Sequence, residues 1–222
     1  GANEGTCLHI LPEVFAEYEA ISGRHYDVVD LYRMEDAEVA VLLLNSAAET
    51  AKDAVDRLRK GGVRAGVVSP NVIRPFPIGE VRAALKNVKG LVVADRQDNF
   101  GAWGGAMAIE VKAALQGLKG NATHVAARVF GTGGKEFFVE DAAEMLREAV
   151  EIARTGTVKV PYAYFGANPG DPSFQPAKAF DPITEADASG LIRVETTPEG
   201  KMEVKGNILR NLTERPKRIG PG

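Results

Sequence analysis

Gly90-Leu91-Val92-Val93-Ala94-Asp95-Arg96-Gln97-Asp98-Asn99-Phe100-Gly101-Ala102-Trp103-Gly104-Gly105 is the stretch from which the fold is read. An apolar run ends in an acid. A polar loop follows, then three glycines around an aromatic. Ala106 to Val111 then opens a helical pattern. Strand, turn and helix in that order place the loop at the strand's C-terminal end, the edge where open α/β sheets meet ligands and partners.

Working outward, the same unit recurs. Upstream, Val39 to Leu44 is a continuous apolar run, as in a strand covered on both faces. Ser46, with Glu49 three residues on, reads as a capping box. Ala47, Ala51, Ala54, Val55 and Leu58 share one face of a helix that runs to Lys60 and stops at Gly61-Gly62. Val63 to Val68 is the second strand. The loop 69–77 after it is stiffened by Pro70, Pro75 and Pro77. A helix from Ile78 to Val88 turns Val81, Leu85 and Val88 inward. Downstream, Met107, Val111, Ala114, Leu115 and Leu118 form a helical stripe, and Thr123 to Phe130 is the fourth strand. Gly131 to Gly134 is its exit loop. Glu140 to Arg154 is the last helix, with Ala142, Met145, Leu146, Ala149 and Ala153 on its stripe. Four alternations predict an open, mainly parallel sheet with right-handed crossovers and helices on both faces.

The flanks differ. Residues 1–25 read as an N-terminal helical segment, frayed to residue 10 and helical over Leu11–Ser22, with Pro12 in the first turn and Val14, Phe15, Tyr18 and Ile21 at helical spacing. Tyr26 to Asp36 reads as a polar connection, and the α/β domain is set at 26–154. Residues 155–222 hold eight of the twelve prolines and no apolar helical stripe, so they read as an extended Pro/Gly-rich arm. Within the arm, alternation around Thr197-Pro198-Glu199-Gly200 predicts a β-hairpin over 191–205. A lone hairpin is marginal in water, so the arm is expected to dock on a partner subunit.

The 222 residues carry a net charge of -3 and are 45% hydrophobic, as in a soluble globular protein. That balance gives no footprint for nucleic acid or an anionic membrane. No apolar run approaches the roughly 20 residues that span a bilayer, and no secretory signal is visible. Cys7 is the single cysteine, which excludes an internal disulfide and an iron–sulfur cluster ligated within this chain alone. A cytoplasmic location is expected. The sequons at Asn121 and Asn211 read as chance matches.

The glycine loops invite a nucleotide, but their spacing does not fit one. A P-loop ending at Gly134-Lys135 would need Ser or Thr where Glu136 stands and Gly where Val129 stands. A dinucleotide fingerprint from Gly131 meets Glu136 at its third glycine, and a carboxylate there repels pyrophosphate. His9, His25 and His124 have no companions at a strong metal spacing. Asp95, at a strand tip, reads as a cap for the N–H groups of its own loop, with a catalytic acid as the alternative. Arg74, held in a stiff loop, reads as the partner of Asp95 or Asp98, or as an anchor for a carboxylate or phosphate. Phe100 and Trp103 read as packing or interface anchors.

Four stretches together resemble a known family: Tyr32-Arg33-Met34-Glu35-Asp36-Ala37-Glu38-Val39-Ala40, Thr50-Ala51-Lys52-Asp53-Ala54-Val55-Asp56, Val72-Ile73-Arg74-Pro75-Phe76-Pro77, and Asp95-Arg96 followed by Phe100-Gly101 and Gly104. They look like the α subunit of 2-oxoacid:ferredoxin oxidoreductases, of which pyruvate:ferredoxin oxidoreductase is the best known. The similarity covers about Tyr26 to Arg154 and matches that family's second domain, which resembles the C-terminal domain of transketolase. It implies an assembly that oxidatively decarboxylates a 2-oxo acid, pyruvate by default, with thiamine diphosphate, Mg²⁺, [4Fe-4S] clusters, coenzyme A and ferredoxin.

The Gly-Asp-Gly that begins the thiamine-diphosphate pattern is missing from this chain. The resemblance therefore implies that this chain alone binds none of these groups, carries no catalytic residue and is inactive by itself. It would be a structural domain or a split or excised α subunit. Its partners would be β, γ and δ-type subunits and the missing N-terminal α domain. Arg74, Phe76, Asp95, Arg96, Phe100 and Trp103 are its interface or loop candidates. The alternatives are a stand-alone anion- or nucleotide-binding α/β module and a subunit-wrapping interaction protein.

Overall fold

The computed structural model describes residues 2–166, 193–196 and 202–205. In chain order the elements are α1 (Ala2–Ser22), β1 (Val29–Tyr32), β2 (Val39–Leu42), α2 (Asn45–Lys60), β3 (Ala65–Pro70), α3 (Ile78–Leu85), β4 (Gly90–Asp95), α4 (Ala106–Leu115), β5 (His124–Val129), α5 (Val139–Thr155), β6 (Tyr162–Tyr164), β7 (Arg193–Thr196) and β8 (Met202–Lys205). The chain divides into two units, Gly1–Ala167 and Asn168–Gly222.

In the first unit the strands stand in the order β1-β3-β2-β4-β5-β6. All neighbours are parallel except β1, which runs antiparallel to β3. The apolar runs become central strands because both of their faces are covered. Leu42, Val68, Leu91, Val93 and Ala127 face Val81 and Leu85 of α3 and Met107 and Val111 of α4. The alternate residues Val41, Val67, Val92 and Ala126 face Ala51 and Val55 of α2 and Met145, Leu146 and Ala149 of α5. This is the open, mainly parallel sheet with helices on both faces that the sequence predicts. In the second unit β7 and β8 pair antiparallel, Arg193 opposite Lys205 and Thr196 opposite Met202. The expected hairpin is therefore present; its turn at Thr197–Gly200 lies outside the described residues.

Several local expectations are corrected. Residues 2–10 are helical, not frayed, and Pro12 sits inside α1 and not in its first turn. The face of α1 against the core is Leu8, Leu11 and Phe15, while Val14, Tyr18 and Ile21 stay exposed. The polar connection after Tyr26 contains β1, whose short apolar content suffices because β3 supplies its hydrogen bonds. The same pairing draws Ser69 and Pro70 out of the loop and into β3. Ser46 does not cap α2: the helix starts at Asn45, whose backbone is left-handed at φ 54°, with Leu44 as a cap that makes no side-chain bond. Glu49 instead pairs with Lys52 at 2.6 Å. Leu118 lies beyond α4 and is partly exposed. Past residue 154, where the arm was set to begin, β6 still extends the sheet, with Ala127 paired to Tyr162 and Val129 to Tyr164.

Candidate functional site

The loops after β2, β3, β4 and β5 gather at one edge of the sheet. The chain leaves β2 for β3 on one side, and β4 lies on the other. The strand order thus reverses between β2 and β4, which is where open α/β sheets form a crevice. A cavity of about 380 Å³ lies there, lined by Asn45 and Ser46 after β2, Ile73 from the loop after β3, Asp95 at the end of β4, and Arg96 and Gln97 after it.

Asp95 is buried at the end of β4. Its Oδ1 accepts the N–H of Met107 at 2.9 Å and its Oδ2 that of Ala108 at 3.2 Å. It therefore caps the first turn of α4 and not the N–H groups of its own loop. Gly105 makes this possible, since a Cβ there would occupy the space of the Asp95 carboxyl. Burial pushes the Asp95 pKa up, against the two backbone bonds that lower it. The folded state then holds the proton at pH values where the unfolded chain has released it. Between the two pKa values, this group's contribution to stability falls as pH rises. Asp95→Ala is expected to lower the unfolding free energy by about 1–2 kcal/mol and to remove that pH slope, because two buried donors lose their acceptor. Urea denaturation across the acid range measures both.

Arg96 leaves the same strand end. Its guanidinium lies 5.8 Å from the centroid of the Phe130 ring and donates to the Lys135 carbonyl at 3.2 Å. The loop beyond it is tied at two points. The hydroxyls of Tyr162 and Tyr164 on β6 both donate to the Asp98 carboxylate. Those bonds, that of Tyr162 first, hold the Asp98 pKa below the usual carboxylate range. At the other end, Lys112 Nζ donates to the Trp103 carbonyl at 3.4 Å. Burial, and then the charge of Arg128, hold Lys112 below its ordinary pKa. Between the ties, Phe100 is 94% and Trp103 78% exposed. Two such rings offer roughly 300–400 Å² of surface, about the size of the largest apolar patch on a typical monomer.

Arg74 does not reach Asp95 or Asp98. It pairs with Glu110 of α4 at 2.7 Å and donates to the Ile73 carbonyl at 2.8 Å. Its charge is thus already met, which weakens its reading as an anion anchor. Phe76 is a buried core residue, packed with Val81 and Met107, and is not at the surface. The structure brings Asp95 and Arg96 to the crevice and leaves Phe100 and Trp103 on the exposed loop. The sequence reading missed Glu110 and Lys112 at this edge, and offered Asp98 to Arg74 when its partners are Tyr162 and Tyr164. The signal for the Asp98 clamp was Tyr162-Ala163-Tyr164, whose alternation puts both phenols on one side of a strand.

Among the described residues, no group of three or more His, Cys, Asp or Glu could hold a metal ion. One cysteine cannot ligate a four-iron cluster. The described residues supply no donor set for Mg²⁺ or for an iron–sulfur cluster. No helix among the described residues is long and apolar enough to cross a membrane.

Residues 37–142 match the family description "pyruvate:ferredoxin oxidoreductase core domain II". Pyruvate synthase subunit PorA of Methanosarcina barkeri is 34% identical over 150 residues, covering 66% of this chain and 37% of that protein. PorA of Pyrococcus horikoshii is 32% identical over 157 residues, covering 71% and 39%. Ketoisovalerate oxidoreductase subunit VorA of the same organism is 30% identical over 148 residues, covering 66% and 37%. The chain is homologous to these oxidoreductase subunits and spans 37–39% of their length.

Proposed function

We propose that this chain acts as a noncatalytic assembly domain of the α component of a thiamine-diphosphate- and iron–sulfur-dependent 2-oxoacid:ferredoxin oxidoreductase. The observation that carries the reading is the match of residues 37–142 to core domain II of that family. Pyruvate is the default 2-oxo acid, after the PorA relatives. Thiamine diphosphate, Mg²⁺ and the clusters belong to other parts of the assembly. Coenzyme A is the acyl acceptor, and ferredoxin takes the electrons. The arm and the 96–104 loop contact β, γ or δ-type subunits or the rest of the α component.

Two measurements test this. The chain alone, given thiamine diphosphate, Mg²⁺ and pyruvate, is expected to release no CO₂; decarboxylation by the isolated chain would overturn the assignment. In the assembled complex, Phe100→Ala with Trp103→Ala is expected to weaken subunit association by roughly 30-fold or more, since central aromatic anchors are worth about 2 kcal/mol or more. Analytical ultracentrifugation reads the change. Unchanged association would remove the loop from the interface while leaving the family assignment intact.

A further inference from the structure

Among the described residues β1 is the outermost strand of the six-stranded sheet and is paired on one side only. Antiparallel neighbours alternate between hydrogen-bonded and non-hydrogen-bonded pairs. The Asn71 N–H donates to the Val28 carbonyl at 3.0 Å. In the observed register the bonded pairs are therefore Val28–Asn71, Asp30–Ser69 and Tyr32–Val67. Val29 and Leu31 turn their N–H and C=O groups the other way, toward the open edge. Leu31 is 52% exposed there. β1 carries neither a proline nor a bulge, two of the devices that close such an edge.

Beside this edge a groove of about 550 Å³ lies between α1, β1 and α3. Leu31 and Met34 supply apolar wall, and Asp27, Glu35 and Glu80 supply acids, against one base, Lys86. Asp30 adds a further acid on the strand itself. We propose that β1 takes up an extended segment of a partner protein as an additional strand. Its residues alternate: Lys or Arg lies on the groove side, with its stem along Leu31 and Met34 and its charge against Asp27, Glu35 and Glu80, and apolar side chains lie on the opposite face. Backbone hydrogen bonds from Leu31 supply the affinity and the groove supplies the selectivity, as in other strand additions. A second copy of β1 fits worse. Antiparallel pairing of two copies through Val29 and Leu31 sets Asp30 directly opposite its own counterpart, and like charges so placed repel.

The test uses the full chain and two synthetic peptides, one alternating Lys and Val, the other Glu and Val. The Lys/Val peptide is expected to slow amide hydrogen exchange at Leu31 at least tenfold. The Asp30 and Tyr32 amides, already bonded to β3, should not change. The Glu/Val peptide should do nothing. Leu31→Pro removes a donor that β3 does not use, a position where an edge strand tolerates proline. It should keep the wild-type melting curve and lose peptide binding at least tenfold by fluorescence anisotropy. Asp30→Lys, which keeps every backbone bond, should weaken the basic peptide and strengthen the acidic one. Equal binding of the two peptides, no slowing at Leu31, or full binding by Leu31→Pro would each overturn the proposal. The site shares no residue with the 96–104 loop, so each proposal can fail without the other.

Discussion

Gly90→Ala is expected to cost about 3 kcal/mol or more of the domain's stability. Gly90 opens β4 and pairs with Val39 on one side and His124 on the other. It has no freedom to shift sideways in the sheet. A methyl group there would run into the Ala149 carbonyl of α5 and stand 2.9 Å from the Ala153 nitrogen. Both are main-chain atoms, so no rotamer change relieves the clash. α5 would have to lift, and with it Met145, Leu146 and Ala149, all fully buried against the sheet. Overpacking costs about 1–3 kcal/mol when side chains can adjust; a main-chain neighbour puts this site at or above the top of that range. Against a total of about 5–15 kcal/mol, the loss is severe. At about 2–4 °C per kcal/mol for a domain of this size, the Tm should fall by roughly 10 °C. The control is Gly79→Ala in α3, where a Cβ meets nothing within 4 Å. It should be neutral or stabilising by up to about 1 kcal/mol, the helix preference of Ala over Gly. A Gly90→Ala protein as stable as the Gly79→Ala one would show that α5 does not depend on this close approach.

The central strands were legible because their signal is local. Val39 to Leu42 and Leu91 to Ala94 have no polar residue to turn outward, so a sheet covered on both faces is the one arrangement that suits them. The stripes of α2 and α5 were legible for the same reason. What failed was structure that depends on a distant partner. β1 is short and interrupted by Asp30, and it is a strand only because β3 lies beside it. β6 is three residues after a proline, and it pairs with β5 from across α5. The Asp98 clamp joins residues 64 and 66 apart in sequence, and no period within a segment encodes that. Arg74 was placed on the right edge, but its partner was chosen from the next loop when the nearer acid was Glu110, one helix turn beyond the loop. Asp95 was read as a cap for the N–H groups of its own loop. Its target, the first turn of α4, is 12 and 13 residues away, beyond the reach of a local turn rule.

Glu148→Ala tests whether that distant bonding holds the exposed loop in place. Arg128, on β5 beside the edge strand β6, has a side chain only 6% exposed. Its Nε donates to Glu148 Oε2 at 3.0 Å, and its Nη2 is bound to Glu148 Oε1 and to the Val160 carbonyl at 3.0 Å. Nη1 donates to the Ala127 carbonyl at 2.6 Å. Removing the carboxylate leaves a buried guanidinium with two carbonyls and no counter-charge. Breaking a buried pair from one side costs about 3–5 kcal/mol. Glu148 is itself 30% exposed, so water reaches that end and the expected loss is near 3 kcal/mol. Arg128→Met should cost less, because a partly exposed Glu148 can turn to solvent. The double variant should lose well under the sum of the two, by roughly 1–3 kcal/mol of coupling. Urea denaturation of the four proteins closes the cycle. A loss below roughly 0.5 kcal/mol for Glu148→Ala would mark the pair as no better than a surface bridge. The structural consequence reaches further. Arg128 anchors Val160 just before β6, β6 carries Tyr162 and Tyr164, and these hold Asp98 at the start of the Phe100–Trp103 loop. With the ion pair gone, amide exchange across residues 98–104 should rise more than in α2 or β2. A substitution in α5 would then loosen the aromatic loop without touching it.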